Sequence, residues 1–136
     1  MNITISKKQA RVLVTIIELD GQLDSTSHNQ LIDETKRIHL DGTRDLLIDL
    51  SKLTYMNSTG LAAIYKTAAL FRDQPKGGDE SGRATYHPFE RENDSLLQKH
   101  VKLLCPQPRV SYILDVASFR TLFEIFTDLN TAVSSF

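Results

Sequence analysis

The sequence contains a single cysteine and no tryptophan among its 136 residues. The lone Cys105 can form neither an internal disulfide nor a thiolate metal cluster, and we expect it to be a small core residue. No apolar run approaches the length of a membrane-spanning helix, and polar residues follow the first methionine, so no signal peptide is expected. These absences predict a cytoplasmic protein that makes no membrane contact.

Charge of one sign is also lacking. The chain carries 16 basic and 17 acidic residues, a net charge of -1, and it has no basic run. This balance argues against direct binding to nucleic acid. With 40% hydrophobic and 24% charged residues, the composition is that of an ordinary globular protein, and the length suits one domain spanning 1–136.

Most sequence patterns of enzymes are missing as well. There is no phosphate-binding loop ending in Gly-Lys-Ser/Thr and no Gly-x-Gly-x-x-Gly after a strand. Ser58 has a glycine on one side only, so it does not lie in the Gly-x-Ser-x-Gly turn of hydrolases. The four histidines lack metal-ligand spacing with carboxylates or Cys105. We therefore expect no catalytic residue, no metal site and no cofactor.

Hydrophobic patterning predicts alternating strands and helices. β-Branched or continuous apolar stretches predict strands at 2–6, 11–19, 44–51, 101–105 and 121–126. Amphipathic stretches predict helices that begin near 23–27, at Ser58, at Pro108 and after Thr127, which would cap the last one. This order predicts an α/β fold with a largely parallel sheet. Glycine, proline and mixed charges predict a flexible insertion at 75–99.

One turn, Asn57-Ser58-Thr59-Gly60, follows an apolar strand and opens a helix, a place where α/β sheets often hold functional sites. Spacing alone favours a helix cap, with Asn57 or Ser58 accepting a bond from a first-turn amide. Two adjacent hydroxyls exceed what a cap needs. Gly60 also costs about 1 kcal/mol relative to alanine in a helix, unless another group must approach its backbone closely.

Phosphorylation of Ser58 would be compatible with this turn. The added negative charge would meet the positive end of a helix and its free amide groups, so the domain need not unfold. About two negative charges would instead enter any partner interface centred there. The turn therefore suggests a switch that acts through binding rather than catalysis.

Three motifs in order carry a family resemblance. They are Gly21-Gln22-Leu23-Asp24 after an early strand, Asp49-Leu50-Ser51 in the apolar strand, and Asn57-Ser58-Thr59-Gly60-Leu61 at the helix start. With the closing strand and helix, the chain resembles a STAS domain, the family of anti-sigma-factor antagonists, over about 1–74 and 101–136. The resemblance implies a mixed β-sheet flanked by helices in a single STAS-like domain.

The resemblance also implies a mechanism of signal transduction that regulates transcription. The unphosphorylated protein would bind an anti-sigma factor, of the serine kinase type, and so free a sigma factor. Phosphorylation at Ser58, or alternatively Thr59, would end the binding, and a phosphatase would restore it. The implied partner-binding residues are Asp24, Asn57, Ser58, Thr59, Gly60 and Leu61.

Two departures from the family keep alternatives open. Asn57 stands where the family has an acidic residue, which favours a non-phosphorylated STAS scaffold in a transporter or a sensory complex. The insertion at 75–99 is longer than usual, and it leaves the far end of the helix that Ser58 begins, so we expect it not to line the Ser58 surface. A small nucleotide hydrolase using Asp24 and Asp49 is a third hypothesis, although no phosphate loop, base or metal set accompanies these acids.

Overall fold

The computed structural model describes residues 1–72 and 97–136. Most of the predicted insertion at 75–99 therefore lies outside the described residues. The strands are β1 (Asn2–Gln9), β2 (Leu13–Leu23), β3 (Leu46–Met56), β4 (Val101–Leu104) and β5 (Ile125–Phe126). The helices are α1 (His28–Leu40), α2 (Ser58–Phe71), α3 (Pro108–Val116) and α4 (Leu129–Ser134), with a short 3-10 helix at Phe119–Thr121. None of these helices is long and apolar enough to cross a membrane.

The five strands form one mixed sheet in the order β1-β2-β3-β4-β5. Strand β1 pairs antiparallel with β2 through a short hairpin, and the remaining pairs are parallel. Parallel neighbours need crossover connections, and helices α1, α2 and α3 lie in those crossovers. The structure thus confirms the predicted mixed sheet with flanking helices.

Each face of the sheet has its own hydrophobic cluster. Because successive strand residues point to opposite faces, Ile16 and Ile17 belong to different clusters. The larger cluster joins β2, β3 and β4 to helices α1, α2 and α3. The smaller one joins the opposite face to α4. The site-bearing helix α2 is therefore anchored on the larger cluster, through Ala63, Ile64 and Ala68.

Strand β3 is longer than the sequence predicts. Its apolar half suggests an end at Ser51, but pairing with β2 continues to Met56. Polar Ser51, Lys52 and Thr54 are exposed while Leu53 and Met56 remain buried, since this end of the sheet has one solvated face. The prediction that the strand ends at Ser51 was therefore wrong.

The last strand is shorter than predicted, and its helix has a different cap. Residues Phe119–Thr121 form a 3-10 helix, so only Ile125–Phe126 pair with β4. The cap of α4 is Asp128, whose carboxylate accepts a 2.8 Å hydrogen bond from the Thr131 amide. The predicted cap, Thr127, lies one residue too early because the strand and the helix are separated by only two residues.

Candidate functional site

The candidate site lies where strands β2 and β3 end side by side. Leu23 pairs with Met56 at the last position of both strands. The Asn57 amide then donates a 3.4 Å hydrogen bond to the Leu23 carbonyl. This pairing brings the loop that starts at Asp24 beside the first turn of α2. Two of the motifs singled out from the sequence therefore meet at one edge of the sheet.

Asn57 is the N-cap of α2. Its backbone is extended, and its side-chain oxygen accepts a 3.1 Å hydrogen bond from the Gly60 amide. Its carbonyl accepts a further bond, of 3.0 Å, from the Leu61 amide. Because the amide oxygen of asparagine acts here as a carboxylate oxygen would, the departure from the family's acid preserves the cap. Because Asn57 caps the helix, the Ser58 hydroxyl is not needed as a capping group.

Replacing Asn57 with alanine should lower the free energy of unfolding by about 1 kcal/mol, because a first-turn amide loses its partner. Aspartate should keep the bond and add a favourable charge near the positive helix end, so we expect Asn57→Asp to be as stable as the wild type or more so. Urea denaturation followed by circular dichroism measures both variants. An Asn57→Ala protein as stable as the wild type would show that the cap contributes nothing.

Ser58 is the first residue of α2, and its side chain is exposed. Within residues 1–72 and 97–136, no hydrogen bond engages its hydroxyl. Thr59 beside it is half-buried, and no acidic residue occupies the first turn of the helix. The exposed hydroxyl therefore lies at the positive end of α2, where added negative charge is favourable.

Gly60 is buried rather than exposed. A Cβ atom built at this position would lie 2.4 Å from the Leu23 carbonyl oxygen and 2.8 Å from Cγ of Met56. The groups that approach the Gly60 backbone closely, and so require a glycine in this helix, belong to strands β2 and β3 of the same chain. Leu61 is half-buried and packs on the larger hydrophobic cluster. Gly60 and Leu61 thus fix the turn in place, and Ser58 is the residue it presents to solvent.

Asp24 organises the loop that faces this turn. Its Oδ1 accepts a 2.7 Å hydrogen bond from the Thr26 hydroxyl and a 3.0 Å bond from the Thr26 amide. These two bonds lower the pKa of the Asp24 carboxyl below its usual value. The hydroxyl of buried Ser27 donates a 2.7 Å bond to the Gln22 carbonyl. Asp24 therefore stays ionised at neutral pH and is held in one orientation.

A Thr26→Ala substitution should raise the pKa of Asp24, because it removes the hydroxyl that contributes most to the lowering. The sign of the stability effect follows from linkage. A lowered carboxyl pKa stabilises the fold above the unfolded-state pKa, and this stabilisation is lost as the pH falls through the folded-state pKa. Carboxyl chemical shifts measured by NMR during an acid titration report the change.

Asp128 supplies an internal control for that titration. Its carboxylate also accepts bonds from the amide and hydroxyl of a single threonine, Thr131, and these lower its pKa. The pKa of Asp128 should be unchanged in Thr26→Ala. If the pKa of Asp24 were equal in the variant and the wild type, the Thr26 hydroxyl bond would not be the cause of the lowered pKa.

Sequence reasoning placed Thr26 and Ser27 at a helix entry, but it did not predict that they hold the Asp24 loop. The signal was available, since a serine or threonine two or three residues after an aspartate commonly closes a local side-chain turn. Thr54 was missed too: its hydroxyl donates a 3.0 Å bond to the Gly21 carbonyl and ties β3 to β2 beside the site.

Asp49 and Cys105, which the sequence analysis also considered for chemical roles, have structural hydrogen-bond partners. Asp49 accepts a 3.0 Å hydrogen bond from the Ser51 amide. The Cys105 thiol donates to the Thr127 carbonyl over 3.1 Å, and burial raises its pKa. In the described part of the chain, no three histidine, cysteine or carboxylate side chains form a group that could hold a metal ion.

Comparisons with known proteins give a family and a fold. A family model described as the STAS domain matches residues 5–74. No curated protein sequence matches the chain. An anti-sigma factor antagonist from Mycobacterium paratuberculosis superposes with a TM-score of 0.67 at 16% identity, covering 98% of this chain and 93% of that protein.

Two further solved structures widen the comparison. The phosphorylated form of the Bacillus cell fate determinant SpoIIAA has a TM-score of 0.57 at 13% identity, with 96% of each chain covered. A sulfate transporter family protein from Wolinella succinogenes also has a TM-score of 0.57, at 14% identity, covering 89% of this chain and 82% of that one. At these identities the structural likeness establishes the fold alone.

Proposed function

The chain belongs to the STAS domain family, and from that premise we propose that it is an anti-sigma-factor antagonist in a partner-switching pathway. In its unphosphorylated form it binds an anti-sigma factor of the serine kinase type in the cytoplasm. Phosphorylation of Ser58 releases that partner, and a phosphatase resets the switch. Transcription is regulated indirectly, through the sigma factor that the anti-sigma factor holds or frees.

The exposed and unbonded hydroxyl of Ser58 carries this proposal. A phosphoacceptor must be reachable by a kinase, and Ser58 is exposed at the first position of α2. It must also be dispensable for the fold, and Asn57 already provides the cap. A phosphate there would be favoured by the helix end, so the modification would change the surface without unfolding the domain.

The solved relatives support the same proposal. The Mycobacterium paratuberculosis protein is an anti-sigma factor antagonist, and SpoIIAA is known in both an unphosphorylated and a phosphorylated form. The fold of this chain is thus one that other proteins use with and without a phosphate. The neighbouring Asp24 loop would supply a fixed carboxylate at the edge of the same contact surface.

Incubation with ATP and a candidate anti-sigma factor of the serine kinase type tests the switch directly. We expect mass spectrometry to find one phosphate on Ser58. The Ser58→Ala protein, which retains Thr59, should take up none. Phosphate on Thr59 in the wild type would make Thr59 the phosphoacceptor in place of Ser58. No phosphate on either residue would refute regulation at this turn.

A non-phosphorylated STAS scaffold is the second candidate function, and Asn57 is the observation that favours it. The family's acid is missing beside the hydroxyl, and the sulfate transporter family protein shows that the fold also occurs in that context. A scaffold subunit of a transporter or a sensory complex should keep its partner when Ser58 becomes aspartate. An antagonist should lose it. Gene neighbourhood gives an independent separation of the two functions.

We further propose that the protein acts without catalysis. Asp24 and Asp49, the two acids considered for nucleotide hydrolysis, are bonded to Thr26 and to the Ser51 amide respectively. Both carboxylates therefore have structural hydrogen-bond partners within their own loops or strands. Calorimetry with ATP and GTP should detect no binding, and turnover of either nucleotide would contradict this assignment.

A further inference from the structure

A groove runs between helices α1 and α2, outside the Ser58 turn. It has a volume of about 500 Å³. Ile32 on α1 and Leu70 on α2 are half-buried and give it apolar walls. At its centre lie Thr35 and Thr67, whose side-chain oxygens are 3.5 Å apart across the helix interface.

The two threonines do not make the groove a polar site. Each side chain is almost fully buried. The Thr35 hydroxyl donates a 3.0 Å bond to the Ile32 carbonyl, and the Thr67 hydroxyl donates a 3.0 Å bond to the Ala63 carbonyl. Since both hydroxyl protons are used within their own helices, an occupant would meet mainly apolar surface at the bottom of the groove.

The rim of the groove is positively charged. Lys36 on α1 and Lys66 on α2 line it, and both are exposed. Among the described residues neither lysine makes an ion pair, whereas Arg37, next to Lys36, is paired with Glu34 over 2.7 Å. Among residues 1–72 and 97–136, no aspartate or glutamate lines the groove. The groove thus combines apolar walls with two unpaired cations, one on each helix.

The length of the groove suits about two turns of a third helix. Asn29 and Lys36, which both line the groove, are seven positions apart on α1, or about 10 Å along the helix axis. The axes of packed helices lie about 8–10 Å apart, and the side-chain ridges of one helix fit into the grooves between the ridges of the other. Amphipathic helices commonly bind hydrophobic grooves and place their apolar face in the groove.

We propose that the α1–α2 groove docks an acidic amphipathic helix of a partner protein. The apolar face of that helix rests on Ile32 and Leu70, and its carboxylates face Lys36 and Lys66. Residues 57–60 of the Ser58 turn are not among those that line the groove, so docking does not require the proposed phosphorylation switch. The protein would then have two binding surfaces: the Ser58 turn, which phosphorylation regulates, and the α1–α2 groove, which phosphorylation does not affect.

A synthetic helical peptide tests the proposal. It carries leucines at i, i+3, i+4 and i+7 flanked by glutamates, and the matched peptide has lysine at every glutamate. Fluorescence anisotropy should show the acidic peptide binding about tenfold more tightly than the basic one, with affinity falling as salt is raised. Amide chemical shifts should move at Ile32, Lys36, Lys66 and Leu70.

Charge reversal identifies the surface. The double variant Lys36→Glu/Lys66→Glu should weaken binding of the acidic peptide by about tenfold or more. The control Lys7→Glu/Lys8→Glu has the same net charge, alters exposed residues of β1, and should bind as the wild type does. If charge reversal disturbs folding, Lys36→Gln/Lys66→Gln provides a milder version of the same test.

Several results would overturn the proposal. These are equal affinity for the two peptides, no binding of either, the same loss in the Lys7/Lys8 control, and binding to anionic phospholipid vesicles in place of the peptide. The Ser58→Asp protein should bind the acidic peptide normally. Failure of the groove and failure of the Ser58 switch are therefore observed separately.

Discussion

An alanine at position 60 should destabilise the protein by about 2 kcal/mol or more. The added Cβ would lie 2.4 Å from the Leu23 carbonyl oxygen, a backbone atom that cannot rotate away. Relief requires that α2 move away from the ends of β2 and β3. Overpacking costs about 1–3 kcal/mol, sometimes more, and a contact with backbone puts this case at the upper end. Alanine's better helix propensity returns only about 1 kcal/mol.

Urea denaturation measures this effect, and Ala62 supplies the matched control. Ala62 is exposed on the same helix, so Ala62→Gly should cost about 1 kcal/mol through helix propensity alone. The two substitutions exchange the same two residue types in opposite directions. If propensity governed both sites, Gly60→Ala would be more stable than the wild type, and that result would exclude the close approach as the reason for glycine.

The central strands of the sheet were predictable because their local signals are strong, whereas the mixed pairing followed only from the family resemblance. Strand β2 is rich in β-branched residues, and the first half of β3 is almost continuously apolar, as buried parallel strands usually are. The second half of β3 gave no such signal. There only one face is covered, and polar Ser51 and Lys52 resemble a turn when the neighbouring strand is not considered. Strand pairing with β2, which is a tertiary contact, determines where β3 ends.

The site was predictable in part for the same reason. The cap at Asn57 and the exposed Ser58 follow from local rules about helix starts. A close approach to Gly60 was considered from the sequence, but its source was not predictable, because the atom that excludes a side chain belongs to Leu23, far away in the sequence. The groove at Lys36 and Lys66 was equally invisible, since its walls come from two helices and no single motif describes it.

Aspartate at position 58 should weaken binding to the anti-sigma factor by about 30-fold or more while leaving the fold intact. The carboxylate would enter the centre of the proposed interface, where a desolvated and unmatched charge costs about 2–5 kcal/mol. In the free protein the same charge lies at the positive end of α2, which favours it by about 0.3–1 kcal/mol. Binding and stability should therefore change in opposite directions, which distinguishes a lost contact from a damaged domain.

Isothermal titration calorimetry with the purified anti-sigma factor, paired with a urea melt of each variant, measures both quantities. Ser58→Ala should bind about as well as the wild type, since it adds no charge and no hydrogen bond engages the hydroxyl among the described residues. Ser6→Asp, at an exposed position of β1, carries the same added charge and should also bind normally. Equal weakening by Ser6→Asp would assign the effect to net charge. Undiminished binding by Ser58→Asp would place the partner elsewhere and favour the scaffold function, because a surface that tolerates a permanent charge at Ser58 cannot be switched by a phosphate there.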